Sequence, residues 1–123
     1  LMERAKSAFD TARDSELYSI DVQVGDLVLL YSDGFSDNLF WYELLNLVDT
    51  TVGTGYDINA PPTTSPARIA EVLALAAHEN SKKEEGETPF SKNAARFKVD
   101  APGGKPDDIT VVAAWVVADG SVA

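Results

Sequence analysis

From Tyr18 to Val24 (YSIDVQV) apolar and polar positions alternate strictly. Tyr18, Ile20, Val22 and Val24 share one face, and Ser19, Asp21 and Gln23 share the other. Period two predicts a half-buried strand. Gly25-Asp26 supplies a turn, which Asp26 is expected to shape. Leu27-Val28-Leu29-Leu30-Tyr31 then forms a continuous apolar run, as expected of a strand covered on both faces. So short a connection predicts an antiparallel hairpin between the two. The run stops abruptly at Ser32-Asp33-Gly34.

Beyond Asp37-Asn38 the period lengthens. Phe40, Trp41, Leu44, Leu45, Leu47 and Val48 recur at three- and four-residue steps, which predicts an apolar helix face with Asp37 or Asn38 as its N-cap. Gly53 to Thr64 (GTGYDINAPPTT) reads as a loop by its glycines and prolines. Ser65-Pro66 opens a second helix, with Ser65 at the N-cap and Pro66 at the first helical position, and Ile69, Val72, Leu73 and Ala76 as its buried stripe. From Asn80 to Pro106 the chain is polar, with room for a short helix over Phe90 to Phe97. Ile109 to Val117 (ITVVAAWVV) is a final buried strand. Two helices between an early and a late strand predict a layered α+β arrangement with mainly antiparallel strands.

At 123 residues the chain has room for one domain and not two. Ten Lys+Arg against twenty Asp+Glu leave a net charge of -10, which argues against a nucleic-acid backbone or an anionic membrane as partner. The longest apolar run, ten residues from Ile109, falls short of the roughly 20 that span a bilayer. The opening LMERAKSAFD mixes charges through what would be the apolar part of a signal peptide. Its first residue is Leu rather than Met, which reads as a start inside a longer frame. There is no cysteine and a single histidine, His78, so any metal here would be held by oxygen.

Asp33 ends one apolar strand and Asp107-Asp108 begin another. If those strands are antiparallel neighbours, the acidic residues meet at one sheet edge. Gly34, and Gly103-Gly104, permit tight backbone paths beside them. A cluster of oxygen ligands suits a hard cation such as Mg²⁺ or Mn²⁺. An isolated Asp at a strand end more often only caps a turn.

The ordered pair GDLVLLYSDGFSDNLF (25–40) and GGKPDDITVVAAWV (103–116) resembles the last two sequence blocks of the metal-dependent, type 2C protein phosphatases. It is most similar to their compact mitochondrial and plastid branch, as are SIDVQVGD, ARIAEVLALAAHE and TPFSKNAARF. The resemblance covers about residues 17–117, and the whole of 1–123 is expected to be one partial domain, the C-terminal portion of the phosphatase domain. It implies a β sandwich flanked by helices, and an intracellular enzyme, with mitochondrion or plastid as the compartments the resemblance offers, that uses two Mg²⁺ or Mn²⁺ ions to activate water against phosphoserine or phosphothreonine in a phosphoprotein. By position, it implies that Asp33 binds one metal and Asp107 the other. Asp108 would add a supporting hydrogen bond, and Gly34 would pack closely beside the site. Asp33 and Asp107 are then expected to converge on metals roughly 3.5–4 Å apart. The family's Asp-Gly-x-Gly-Gly block and its phosphate-binding Arg motif do not occur in these 123 residues. The rival reading is a non-catalytic interaction module built on a truncated or degenerate phosphatase fold.

Other residues read as ordinary structure. His78 near a helix end suits the helix dipole. Trp41 and Trp115 read as core. Lys82-Lys83-Glu84-Glu85 is a solvated charge run, and Thr110 without a neighbouring base is a strand residue.

Overall fold

The computed structural model describes residues 9–53 and 63–120. After a 3-10 turn (Ala12–Asp14) come strand β1 (Leu27–Tyr31), a one-turn helix α1 (Asp33–Ser36), α2 (Trp41–Val52), α3 (Pro66–Ser81), α4 (Pro89–Arg96) and strand β2 (Val111–Trp115). The two strands are antiparallel, with Leu27 opposite Trp115 and Tyr31 opposite Val111. Backbone bonds prolong the ladder at both ends, from Val116 N to Asp26 O at 2.9 Å and from Ser32 N to Thr110 O at 3.1 Å.

Phe35, Leu39, Ile69, Leu73 and Ala77 form the buried core, onto which Leu27, Leu29, Val111 and Trp115 pack from one sheet face. Four-residue spacing along α3 turns Ile69, Leu73 and Ala77 to the same side, and that side meets β2. Leu44, Leu47, Val48 and Val52 bring α2 against the same core. Pro66 occupies the first turn of α3, as its missing N–H allows, while Ser65 caps through its carbonyl rather than its hydroxyl. Thr88 caps α4: its hydroxyl accepts from Ser91 N at 3.1 Å, and Ser91 Oγ accepts from Thr88 N at 2.8 Å. No helix among the described residues is long and apolar enough to cross a membrane.

Four expectations are corrected. Residues Tyr18 to Val24 form no strand, and Tyr18 and Ile20 are 81% and 80% exposed. A strand requires a hydrogen-bonding neighbour, and among the described residues β1 pairs with β2 and with no hairpin partner before it. The Gly25-Asp26 turn does form, Asp26 Oδ2 accepting from Gln23 N at 2.9 Å while Asp26 N donates to Gln23 O at 3.0 Å. Next, among the described residues β1 is covered on one face only: Val28 and Leu30 point outward beside Val112, because α2 and α3 both lie on the opposite side. Third, α2 begins after Phe40, whose N–H donates to Glu43 Oε1 at 3.0 Å, while Asp37 closes α1 and Asn38 is buried. Last, Trp41 is 72% exposed in the first turn of α2. Trp115 is half-buried on the core, its indole N–H donating to Thr64 O at 2.8 Å. The loop expected over 53–64 lies largely outside the described residues.

Candidate metal site

The antiparallel register brings the end of β1 and the start of β2 to one edge of the sheet. Ser32 ties them side by side: its Oγ accepts from Thr110 N at 3.0 Å and donates to Asp108 O at 3.3 Å. Asp33 follows Ser32 directly, so its segment runs alongside Asp107-Asp108. Gly34 fits against that segment only because it has no side chain. A β-carbon there would stand 2.1 Å from Asp108 O and 3.2 Å from Asp107 Cβ.

Asp33, Asp107 and Asp108 are all exposed at this edge. Asp107 Oδ1 accepts from the backbone N–H of Asp108 at 2.7 Å, which orients its carboxylate while leaving Oδ2 open. The contacts Asp108 makes here thus run through its main chain. Among the described residues, no group of three or more His, Cys, Asp or Glu is arranged to hold a metal ion. Two exposed carboxylates supply hard oxygen donors of the kind Mg²⁺ accepts while keeping several waters, and two such donors do not make a closed cage.

The approach to Asp107 is sewn to the helices through backbone groups. Gly103, at φ 84°, and Gly104 press so close to the end of α3 that β-carbons would lie 2.1 Å from Lys83 O and 2.0 Å from Asn80 O. Gly103 O accepts from Thr88 Oγ1 at 2.6 Å, and Gly104 N donates to Lys83 O at 2.9 Å. Lys105 sends its ammonium to 3.9 Å from Asp37 Oδ2, over the Phe90 ring. His78 stands exposed in the last turn of α3, and the Thr110 N–H serves the Ser32 hydroxyl.

Asn38 is the participant that the sequence pattern did not distinguish. It is 0% exposed, and its side chain bonds to backbone groups of both Gly34 and Lys105. Its position after Asp37, just before an apolar periodic stretch, carries the same local signal as a helix cap.

No protein-family model matches the sequence. Among curated proteins, the chain is 31% identical over 115 residues to probable protein phosphatase 2C 80 of Arabidopsis thaliana, covering 94% of this chain and 26% of that protein. It is 34% identical over 103 residues to the protein phosphatase PTC7 homolog of Danio rerio, covering 84% and 32%. With probable protein phosphatase 2C 71 of Oryza sativa it shares 35% over 100 residues, covering 80% and 20%. The chain therefore spans a third or less of the length of each of these three relatives. In three dimensions it is similar to the photosystem II phosphatase PBCP, with a TM-score of 0.67 and 26% identity over 87% of this chain and 42% of that one. The α+β layout, the paired strand-end blocks and these likenesses agree, and the chain belongs to the type 2C protein phosphatase family.

Proposed function

We propose that the protein carrying this chain is a metal-dependent phosphatase of phosphoserine and phosphothreonine in proteins. The observation that carries the reading is the β1–β2 register, which sets the Asp33 and Asp107 segments side by side with Gly34 between them. Type 2C membership implies dependence on a divalent cation, and the exposed, all-oxygen donor set suits one. We assign Asp33 to one ion and Asp107 to the other of a Mg²⁺ or Mn²⁺ pair. When bound, such ions lower the pKa of water to make a nucleophile and offset charge on the transferring phosphoryl group. This chain's own part is to hold two carboxylates at one edge. The Asp108 N–H fixes Asp107 Oδ1, and Gly34 keeps that edge free of a side chain. The likeness to PTC7 homologs and to a photosystem II phosphatase favours an organellar setting, mitochondrion or plastid.

The test is turnover of p-nitrophenyl phosphate and of a phosphothreonine peptide by the full-length protein at fixed Mn²⁺. Asp33→Asn and Asp107→Asn are each expected to abolish most of the activity while leaving the melting temperature nearly unchanged. Activity indifferent to both substitutions overturns the ligand assignment. A full-length protein inactive under all metal conditions supports the rival reading, a non-catalytic interaction module.

A further inference from the structure

We infer that Asn38 is a positioning residue that fixes Asp107 relative to Asp33 by clamping the main chain beside each. Its Nδ2 donates to Gly34 O at 2.7 Å and to Lys105 O at 2.8 Å, and its Oδ1 accepts from Lys105 N at 2.8 Å. These partners dictate the amide's orientation, since the one N–H requires oxygen and the two carbonyls require nitrogen. Gly34 is covalently next to Asp33. Lys105 is joined to Asp107 through Pro106 alone, whose ring fixes φ and stiffens the link. One side chain therefore grips the immediate neighbourhood of both carboxylates. Asn38 is itself anchored, its backbone oxygen accepting from Asn80 Nδ2 at 2.9 Å, which ties the clamp to the end of α3.

No other residue type reproduces this. Asp keeps the acceptor for Lys105 N–H but turns an oxygen toward two carbonyl oxygens. Leu leaves all three backbone groups without a partner, and Gln displaces the amide by a methylene. Because Asn38 reaches 67 residues along the chain to Lys105, its effect is on the mutual placement of two segments rather than on either alone.

The inference rests on the reading of Asp33 and Asp107 as metal ligands, and its test separates the two. Amide hydrogen exchange is followed in the metal-free full-length protein, and Mn²⁺ binding is titrated directly by electron paramagnetic resonance. In the unmodified protein the Lys105 amide is protected; fast exchange there overturns the clamp without any variant. Asn38→Ala is expected to speed Lys105 exchange at least about tenfold, leave the Leu73 amide protected, and weaken Mn²⁺ binding by roughly 10–100-fold, as loss of an outer-shell partner does. Asn38→Leu, similar in size and lacking every polar group of the amide, carries the same expectation if the alanine variant does not fold. Lys105 exchange unchanged in a folded variant overturns the clamp. Faster exchange with unchanged Mn²⁺ binding, where Asp107→Asn does weaken it, overturns the positioning role and leaves the ligand reading standing. Unchanged binding in Asp107→Asn overturns the ligand reading, and the exchange data alone then decide the clamp.

Discussion

Gly34 and Asp108 approach so closely that a β-carbon on residue 34 would lie 2.1 Å from the Asp108 carbonyl oxygen. That oxygen belongs to backbone held by Ser32, so it cannot swing aside as a flexible side-chain tip could.

Gly34→Ala is accordingly expected to destabilise the protein by about 1–3 kcal/mol, the usual cost of forcing extra volume into a packed site. It should also separate the two strand ends. Chemical denaturation reads the first effect and Mn²⁺ titration the second. A variant as stable as the unmodified protein would show that the approach relaxes at no cost.

Truncations on the two sides of the sheet should differ sharply. Leu73 is buried in the centre of α3, and Leu73→Ala is expected to cost about 2–5 kcal/mol. Leu30 faces outward and is 66% exposed, so Leu30→Ala in the 123-residue chain is expected to stay within about 0.5 kcal/mol. Equal costs, measured by denaturant titration, would contradict the one-sided burial of β1.

The apolar outer face has a further consequence for solution behaviour. Val28, Leu30 and Val112 lie together there, and Tyr18 and Ile20 are exposed nearby in sequence. A contiguous apolar surface of this kind promotes association. The 123-residue chain by itself is expected to show a sedimentation coefficient that rises with concentration. A sharp, concentration-independent, monomeric transition would refute this.

Catalysis by the 123-residue chain should be weak or undetectable at millimolar Mn²⁺, because two aspartates at one sheet edge do not fix a pair of ions. In the full-length protein, Asp33→Asn or Asp107→Asn should reduce turnover by more than the roughly 10–100-fold typical of outer-shell partners. Equal rates for the 123-residue chain and the full-length protein would overturn the first expectation.

Most of the framework was legible because its signals are local. Pro66 marks where α3 starts, the spacing of Ile69 and Leu73 gives its buried face, and two apolar runs give β1 and β2. That the segment of Asp33 and Gly34 runs beside Asp107-Asp108 followed once the strands were taken as antiparallel neighbours. Tyr18 to Val24 misled because alternation describes two unlike faces, whereas a strand also requires a paired backbone edge. Trp41 misled because periodicity places a residue on a helix face without telling how far along the helix the packing extends. Asn38 was illegible for a different reason: its partners at Lys105 are remote in the chain and are backbone atoms, which leave no side-chain pattern to read.

That Lys105 meets Asn38 only through its own N–H and C=O separates two kinds of constraint on the stretch from Gly104 to Asp107. Replacing the lysine with almost any residue but proline preserves both bonds, so the identity at 105 is free to drift among homologues. Removing or adding one residue there shifts the spacing between the clamp and Asp107 and carries the carboxylate off the edge it shares with Asp33. Across related proteins, then, position 105 should tolerate substitution while the stretch around it resists insertion and deletion: what selection counts at that position is length.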